Sequence, residues 1–317
     1  MYIIGIDIGG MSVKGGVVDQ SGTIIYKASV ETKANSDDYR VIISDIAFLI
    51  NKLLQHTNLK ITDVKGLGMG IPGTIDSVKG VIVYSNNINF INVPIVAEIN
   101  KHFNGLPVFI NNDANAAALG EHRFGSAKDV QNIVFVTLGT GVGTGIIIEG
   151  KLFEGKASAG AEGGHTVICV DGEPCSCGRR GCFEAYASAV ALVRQTKAAI
   201  AENPFTLMKT IAEEKGKISG RTAFIAAAHG DKAGIQVVDN YVKYVGEGIV
   251  NLANIFRPDV VLIGGGVSNE GDALINPLQK YMDGHCYGMQ NGNPRVLVKK
   301  ASLTNDAGIL GAASLVL

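Results

Sequence analysis

The segment 162–184 constrains this chain more than any other, because it gathers metal-binding side chains into a glycine-rich loop. Cys175, Cys177 and Cys182 stand close together there, downstream of His165. Three thiols and one imidazole supply the four ligands of a tetrahedral zinc ion, and a site with no open position is structural. The spacing therefore predicts a zinc ion that folds the loop, with a disulfide pair or three buried free thiols as alternatives.

Length and composition limit the class of protein. At 317 residues the chain is long for one hydrophobic core, which favours two lobes. The net charge is −1 and the basic residues are scattered, so nucleic acid is not a predicted partner. We expect no membrane partner either, since no apolar run approaches ~18 residues and the N-terminus does not read as a signal peptide. Five cysteines, an odd number, fit a reducing cytoplasm.

Glycine gathers where apolar, β-branched runs end, at 9–10, 139–145 and 264–266. Glycine permits positive φ and lets a ligand approach the backbone closely. Three strand-to-glycine turns suggest three backbone cradles around one anionic ligand. The spacing matches neither the P-loop nor the dinucleotide-binding fingerprint, and glycine at every second position of 139–145 is typical of a hairpin.

The segments 4–19 and 134–149 look like one unit written twice. At an offset of 130 residues, Asp7 aligns with Thr137, and each copy reads apolar strand, glycine-rich turn, apolar strand, acidic turn. A repeat of about half the chain implies two lobes of related fold. Two unrelated glycine-rich hairpins are the alternative.

Hydrophobic periodicity predicts an α/β protein, because strands alternate with helices along the chain. After the first hairpin we expect a helix near 38–55, and we place a hinge between lobes near 113–130. The other predicted elements are strands near 64–69, 107–111 and 259–263, a helix from 114 to 121, helices over most of 184–256, and a terminal helix at 305–316.

Several motifs then occur in a fixed order: DIGG at 7–10, NNDANAAALGE at 111–121, TLGTGVGTG at 137–145, EGGH at 162–165 and CSCGRRGCFE at 175–184. Together they resemble the ROK family (repressor, open reading frame, kinase), and the match covers nearly the whole chain. The resemblance implies the actin-like ATPase (ribonuclease H-like) fold, with two duplicated lobes and a central cleft. The implied small lobe is 1–113 with 303–317, and the large lobe, 114–302, carries the zinc loop and a dimer surface.

The resemblance implies an ATP- and Mg²⁺-dependent hexose kinase that acts as a homodimer, with the 6-hydroxyl of glucose as the expected acceptor. Some members of the family carry a DNA-binding segment and repress transcription, whereas this sequence begins at the first hairpin. A β-glucoside, fructose, allose or an N-acetylated amino sugar stay open as substrates. A catalytically weak sugar sensor or regulator, and a structural actin-like filament protein, are the alternatives from other classes.

Carried over by position, Asp113 matches the family's catalytic base, although an aspartate there is equally typical of the N-cap of the 114–121 helix. His165 would bind zinc through one ring nitrogen and sugar through the other. Taken alone, Glu162 and Glu184 would each be more typical of a solvated surface charge. The stretch 86–92 is also predicted to line the sugar pocket. The implied sugar contacts are Gly73, Asn112, Asp113, Glu162, His165 and Glu184.

On the nucleotide side, Asp7 resembles the residue that orients Mg²⁺ through water. Members of the family usually have threonine where this chain has Met11, so a hydroxyl that could contact phosphate is missing. We expect a modest loss of nucleotide affinity, on the order of 1 kcal/mol for one hydrogen bond. The implied nucleotide contacts are Asp7, Gly9, Gly10, Thr137, Gly139, Thr140, Gly141, Gly265 and Gly266.

Overall fold

The computed structural model describes residues 1–10, 12–31, 38–85, 88 and 90–317. Its internal contacts divide the chain into two compact units. Unit 1 comprises Met1–Gln131, Gly145–Ala161 and Ser302–Leu317, and unit 2 comprises Asn132–Thr144 and Glu162–Ala301. These boundaries are not those of the lobes expected from the sequence, 1–113 with 303–317 and 114–302, and that division stays a prediction.

The strands form two five-stranded sheets and one three-stranded sheet within the described residues. In chain order they are β1 (Tyr2–Ile8), β2 (Ser12–Val18), β3 (Ile24–Glu31), β4 (Val64–Ile71), β5 (Thr74–Asp76), β6 (Val81–Ser85), β7 (Phe90–Val93), β8 (Val108–Asn112), β9 (Ile133–Leu138), β10 (Val142–Ile148), β11 (Lys151–Phe153), β12 (Val260–Gly264) and β13 (Leu297–Lys300). The sheet orders are β3-β2-β1-β4-β8, β11-β10-β9-β12-β13 and β5-β6-β7.

Helices follow or separate these strands, as the alternating pattern predicts. None of the helices in the described ranges is long and apolar enough to cross a lipid bilayer. In chain order they are α1 (Tyr39–Thr57), α2 (Ile95–Asn100), α3 (Asp113–Phe124), α4 (Phe183–Ala187), α5 (Ala189–Glu202), α6 (Leu207–Lys215), α7 (Thr222–Ala228), α8 (Lys232–Phe256), α9 (Asp272–His285) and α10 (Ala307–Ser314).

The two five-stranded sheets share one topology. In each, a hairpin and a following strand take the first three places, and two later strands complete the sheet. The offset of 130 residues carries β2 onto β10 position for position. β1 pairs in parallel with β4, as β9 does with β12. This correspondence supports an internal repeat rather than two unrelated hairpins.

The core of unit 1 lies between its sheet and α1. The helix buries one face, including Ile42, Ile46, Leu49, Ile50 and Leu53, against the strands. The Asp38 side chain accepts the Arg40 N–H at its start, and Asn58 ends it in the left-handed region with φ 56°. The amphipathic helix predicted near 38–55 is confirmed.

Glycines in the sheet of unit 1 allow the C-terminal helix α10 to pack directly against it. A Cβ at Gly5 of β1 would collide with the backbone of Ile309, and one at Gly68 of β4 with the backbone of Ala312. The helix can therefore approach both strands more closely than larger residues allow. This close seating brings Gly308, near the start of α10, against the carboxylate of Asp7.

The core of unit 2 packs helices against β9 and β12. The long helix α8 presents a buried stripe that includes Val245, Ile249 and Leu252. The buried Tyr241 donates its hydroxyl to the Ala187 carbonyl at 2.6 Å, which satisfies its polar end and ties α8 to the end of α4. Helices predicted over most of 184–256 are confirmed, divided here among α4 to α8.

Left-handed backbone at residues other than glycine clusters in the segment that precedes Glu162. Ala157, Ser158 and Ala161 have φ values of 54°, 56° and 61°. A side chain with a Cβ is strained there by about 1–2 kcal/mol. The segment therefore stores strain next to a predicted sugar contact, which is a common property of functional loops.

We predict that Ala157→Gly raises the melting temperature or leaves it unchanged, because the strain relieved offsets the greater freedom of glycine in the unfolded chain. Ala198→Gly, at an exposed position within α5, is the matched control and should lower stability by about 1 kcal/mol. Thermal unfolding of both variants measures the difference. An equal loss of stability in the two variants would show that Ala157 is unstrained.

Candidate active site

The four predicted zinc ligands lie together in unit 2. Their ligand atoms all lie within 4.8 Å of one another. Cys175 Sγ is 3.6 Å from His165 Nδ1, and Cys177 Sγ is 3.7 Å from Cys182 Sγ. Metal–ligand bonds of about 2.0–2.3 Å in a tetrahedron give separations of this size. The residues therefore fit a metal ion, whereas the disulfide alternative is wrong because all the cysteines are free.

Tight backbone turns shape this loop. The Cys175 carbonyl accepts the Gly178 N–H at 3.0 Å, and the Cys175 N–H donates to the Arg179 carbonyl at 2.9 Å. Gly178 takes φ 87° at the tip, where a Cβ would be strained. The turn brings the sulfur atoms to one side. Burial, followed by hydrogen bonding with Cys177, raises the pKa of the Cys182 thiol to about 12, so a metal must displace its proton.

His165 has the orientation that its predicted double role requires. Its Nδ1 faces the thiols, so Nε2 lies on the opposite side of the ring. The residue closes a short 3-10 turn, Gly163–His165, in which the Gly163 N–H donates to Thr144 Oγ1 at 2.8 Å. The metal loop and the strand β10 therefore fix the ring together. Contact between Nε2 and a sugar stays a prediction.

The carboxylate of Glu184 links the metal loop to the β9–β10 turn. Oε2 accepts the Val142 N–H at 3.0 Å, and Oε1 accepts the Ser176 hydroxyl at 2.9 Å. A Cβ at Gly141 would collide with this carboxylate, which explains the need for glycine there. A ligand hydroxyl would have to share Glu184 with these donors. Glu162 begins the same segment of unit 2 and is exposed.

In unit 1, Asp7 and Asp113 lie at the same edge of the sheet. The register places Asp7 of β1 level with Gly70 of β4, and Gly70 level with Asn111 of β8. Since β1, β4 and β8 are parallel, their carboxyl ends meet at this edge. Burial raises the pKa of Asp7 to about 6, the Asp113 carboxylate adds to the rise, and Lys14 opposes it. The two carboxylates therefore repel each other.

Asp113 is the first residue of α3, and its side chain is accessible to solvent. Loss of hydration in the surrounding protein raises its pKa, and the hydrogen bond from the Ala114 N–H opposes the rise. An accessible carboxylate at the start of a rigid helix is free to receive a proton from a ligand.

The N-cap of α3 is Asn112, so the alternative in which Asp113 serves only as the cap is wrong. Asn112 Oδ1 accepts the N–H groups of Ala114 at 2.9 Å and Asn115 at 3.3 Å. Its Nδ2 donates to the Gly73 carbonyl at 3.1 Å. This hydrogen bond uses one of the two N–H groups of the Asn112 amide. The structure thus joins Gly73, Asn112 and Asp113 in one turn region of unit 1.

The predicted nucleotide contacts are divided between the units. In unit 1, Gly9 and Gly10 form the β1–β2 turn, where the Gly9 N–H donates to the Ser12 carbonyl at 3.0 Å. Met11, with its predicted effect, lies outside the described residues, as do Asn86, Asn87 and Asn89 of the predicted sugar-lining stretch.

Unit 2 brings its own nucleotide candidates together. Gly265, with φ 78°, packs against the backbone of Leu138, so the turns after β12 and β9 are neighbours. A Cβ at Gly139 or Gly266 would meet no heavy atom within 4 Å, which leaves open backbone beside these turns. The residues involved are Thr137, Gly139, Thr140, Gly141, Gly265 and Gly266.

Sequence reasoning missed Asn111 and Glu154. Asn111 donates its amide to Glu154 at 2.9 Å, immediately before the Asn112–Asp113 turn. The pair is separated by 43 positions. The sequence shows Asn111 two positions before Asp113, but this spacing does not reveal that Glu154 is the partner of Asn111.

Comparison with known proteins decides the family. The ROK family model matches residues 3–317. The chain belongs to the ROK family. The glucokinase of Thermotoga maritima is 35% identical over 100% of this chain and 97% of its own length. The xylose repressor of Bacillus subtilis is 31% identical over 100% of this chain and 77% of its own length.

A solved ROK family glucokinase from Streptomyces griseus, in complex with glucose and AMPPNP, is similar in structure with a TM-score of 0.84. The two chains are 33% identical, and the match covers 99% of each. A ROK hexokinase from Thermus thermophilus matches with a TM-score of 0.79, 30% identity, and 99% and 97% coverage. The predicted actin-like ATPase fold of the α/β class is confirmed.

We predict that Asp7→Asn stabilises the protein at pH 7.5 in the absence of Mg²⁺ and nucleotide. Asp7 ionises near pH 4 when unfolded and at about 6 when folded, so the folded state holds more protons between these values. Stability contributed by the protonated group is therefore lost as pH rises through this window. The melting temperature of Asp7→Asn relative to wild type should rise by a few degrees between pH 4.5 and 7.5.

Asp239→Asn, which removes one exposed carboxylate from α8, is the control for the Asp7 measurement. Thermal unfolding across the pH range should give a nearly constant difference for this variant. A constant difference for Asp7→Asn as well would contradict the raised pKa of Asp7.

Proposed function

We propose that this chain is an ATP-dependent kinase that transfers the γ-phosphoryl group of ATP to the 6-hydroxyl of glucose. The observation that carries the proposal is Asp113, an accessible carboxylate that shares a sheet edge with Asp7 and is not the cap of its helix. The Streptomyces griseus glucokinase, bound to glucose and AMPPNP, matches 99% of the chain. The Thermotoga maritima glucokinase gives the same support from sequence.

Asp113 acts as the general base. As the sugar oxygen bonds to the γ-phosphorus, the bond from that phosphorus to the bridging oxygen breaks and ADP leaves, while the proton of the sugar hydroxyl passes to the carboxylate of Asp113. Loss of hydration raises the pKa of Asp113 and so favours the protonated carboxyl that results. Asn112 holds the start of α3, so the base is carried on a rigid element.

Polar side chains and a backbone turn bind the sugar. The second amide N–H of Asn112 donates to the sugar, and Glu162 and Glu184 accept hydrogen bonds from its hydroxyl groups. Nε2 of His165 contacts the sugar, while Nδ1 faces the metal. A site that pairs each hydroxyl strongly rejects analogues that lack one. The proposed sugar contacts are Gly73, Asn112, Asp113, Glu162, His165 and Glu184.

Glycine turns bind the triphosphate through backbone N–H groups. Asp7 fits a water-mediated Mg²⁺ site, because a cation beside it would offset the burial and the nearby Asp113 charge that raise its pKa. When bound, Mg²⁺ neutralises the charge of the phosphates. The proposed nucleotide contacts are Asp7, Gly9, Gly10, Thr137, Gly139, Thr140, Gly141, Gly265 and Gly266.

The Cys₃His group holds a structural zinc ion in this proposal. All four positions of a tetrahedron are filled by His165, Cys175, Cys177 and Cys182, so no position is left for catalysis. Free thiols fit a protein that works in the cytoplasm. We also propose a homodimer, which the family resemblance implies.

A sugar-responsive regulator is the second candidate, because the Bacillus subtilis xylose repressor aligns over 100% of this chain. Such a protein would bind sugar with little or no phosphoryl transfer. Sugar-dependent release of ADP separates the two candidates.

A kinase assay across sugars tests the proposal. Glucose, fructose, allose, a β-glucoside and an N-acetylated amino sugar are compared by coupled ADP release, and ³¹P NMR locates the phosphate on the product. We expect the highest kcat/KM for glucose and a phosphate on O6. A higher kcat/KM for another of these sugars would refute glucose as the preferred substrate but not the kinase activity. Sugar binding without turnover would support the regulator.

We predict that Asp113→Asn lowers kcat by about 10²-fold or more while changing the glucose Kd only a few-fold, since a base contributes to the chemical step. Asp38→Asn makes the same chemical change at the N-cap of α1, where asparagine also caps well, and should keep full activity. Steady-state kinetics and calorimetry measure the two quantities. Retention of more than about a tenth of kcat in Asp113→Asn argues against the base.

We predict that removal of the metal weakens glucose binding, because His165 and Glu184 are fixed by the metal loop. Chelation and Cys177→Ser should both raise the glucose Kd, measured by calorimetry with metal content verified. Cys169→Ser is the control, since this exposed cysteine lies outside the ligand set. An unchanged glucose Kd in verified metal-free protein would contradict a supporting role.

A further inference from the structure

The side chain of Asn111 organises the turn that precedes the proposed base. Asn111 is only 5% exposed, and three hydrogen bonds hold its amide. Nδ2 donates to Glu154 Oε1 at 2.9 Å. Oδ1 accepts the backbone N–H of Asn112 at 2.8 Å and Nδ2 of Asn115 at 3.0 Å. Asp113 lies between the two residues that this oxygen holds.

Glu154 and the backbone N–H of Asn112 together fix which way this amide faces. The oxygen and nitrogen of an asparagine amide have nearly the same shape, so the surrounding hydrogen bonds determine its orientation. A carboxylate only accepts, so Nδ2 of Asn111 must face Glu154. Oδ1 is thereby directed to Asn112 and Asn115. In the reversed orientation, two oxygens would face each other and the Asn112 N–H would face an NH₂ group.

Glu154 is itself held from its other side. The Ser77 hydroxyl donates to the same Oε1 at 3.1 Å, and Ser77 shares a 2.8 Å hydrogen bond with Ser158. In the ranges that the structure covers, no salt bridge joins Glu154 to a lysine or arginine. The hydrogen bonds of this carboxylate are thus directed to the asparagine amide and a serine, within unit 1.

We infer that Glu154 is a positioning residue for Asp113, acting through the amide of Asn111; the inference rests on the proposed function. Asn112 N–H is bonded to Asn111, and Asn112 Oδ1 in turn caps α3, whose first residue is Asp113. Loss of the Glu154 contact removes the acceptor that holds Nδ2 of Asn111, so the amide is held only through Oδ1, which loosens the turn without removing a sugar contact.

The first test is a pair of substitutions at Glu154. Glu154→Ala removes the acceptor and should lower kcat on the order of tenfold, with the glucose KM within about twofold of wild type. Glu154→Gln keeps an oxygen that can accept from Asn111 and should retain most of kcat. Ser158→Ala, which alters the network without contacting Asn111, is the control and should keep kcat. Full kcat in Glu154→Ala, or an equal loss in Glu154→Gln, overturns the inference.

The second test exchanges donor and acceptor. Asn111→Asp places two carboxylates together and should lower kcat, whereas Asn111→Asp combined with Glu154→Gln restores a donor facing an acceptor. In both variants the new carboxylate at position 111 still offers an acceptor to Asn112 and Asn115. We expect the double variant to exceed the Asn111→Asp variant in kcat, and strictly additive losses would contradict coupling between the two residues.

Hydrogen exchange of the Asn112 backbone amide gives a readout that does not depend on activity. This N–H donates to Asn111 Oδ1, so Glu154→Ala should speed its exchange, while Glu154→Gln should not. Unchanged exchange in Glu154→Ala overturns the inference. Failure of the wild-type protein to phosphorylate any sugar would refute the proposed function, and the exchange experiment would still test the positioning of the turn.

Discussion

The close placement of Asp7 and Asp113, each with reduced hydration, is the constraint on which the site in unit 1 depends. The parallel strands β1, β4 and β8 hold the two carboxylates at one edge, and the pKa of each is raised. A fold selected only for stability would not retain this pair. The neighbouring structure accommodates it, since Gly308 leaves room for Asp7 and Asn112 caps the helix in place of Asp113. In the proposed reaction, a cation near Asp7 and a proton on Asp113 would each reduce the negative charge at this edge.

In unit 2, the segment 162–184 has few apolar residues with which to form a core. A metal ion held by the four ligands would replace that core and would fix His165 by one ring nitrogen. Glu184 links this segment to the β9–β10 turn, because its carboxylate accepts hydrogen bonds from both Ser176 and Val142. A metal ion without an open coordination position could therefore support the proposed sugar and nucleotide contacts by holding the backbone and side chains around them.

Much of the fold and site followed from the sequence because the signals are local or repeated. The hairpins share an offset of 130 residues, α1 has a helical period, and the metal ligands lie within one loop. The cap of α3 could not be assigned, because adjacent Asn112 and Asp113 are both good N-caps. The Asn111–Glu154 contact spans 43 positions and has no periodic signal. Short strands such as β5 and β7 form by pairing with β6, which local patterns do not reveal.

The most direct test of the central claim is a crystal structure of this protein with glucose and a non-hydrolysable ATP analogue, in which the distance from the Asp113 carboxylate to the sugar is measured. The account predicts a carboxylate oxygen about 2.6–3.2 Å from the 6-hydroxyl, with the γ-phosphate on the opposite side of that oxygen. Asp113 more than about 5 Å from every glucose hydroxyl, and without a bridging water, would contradict it.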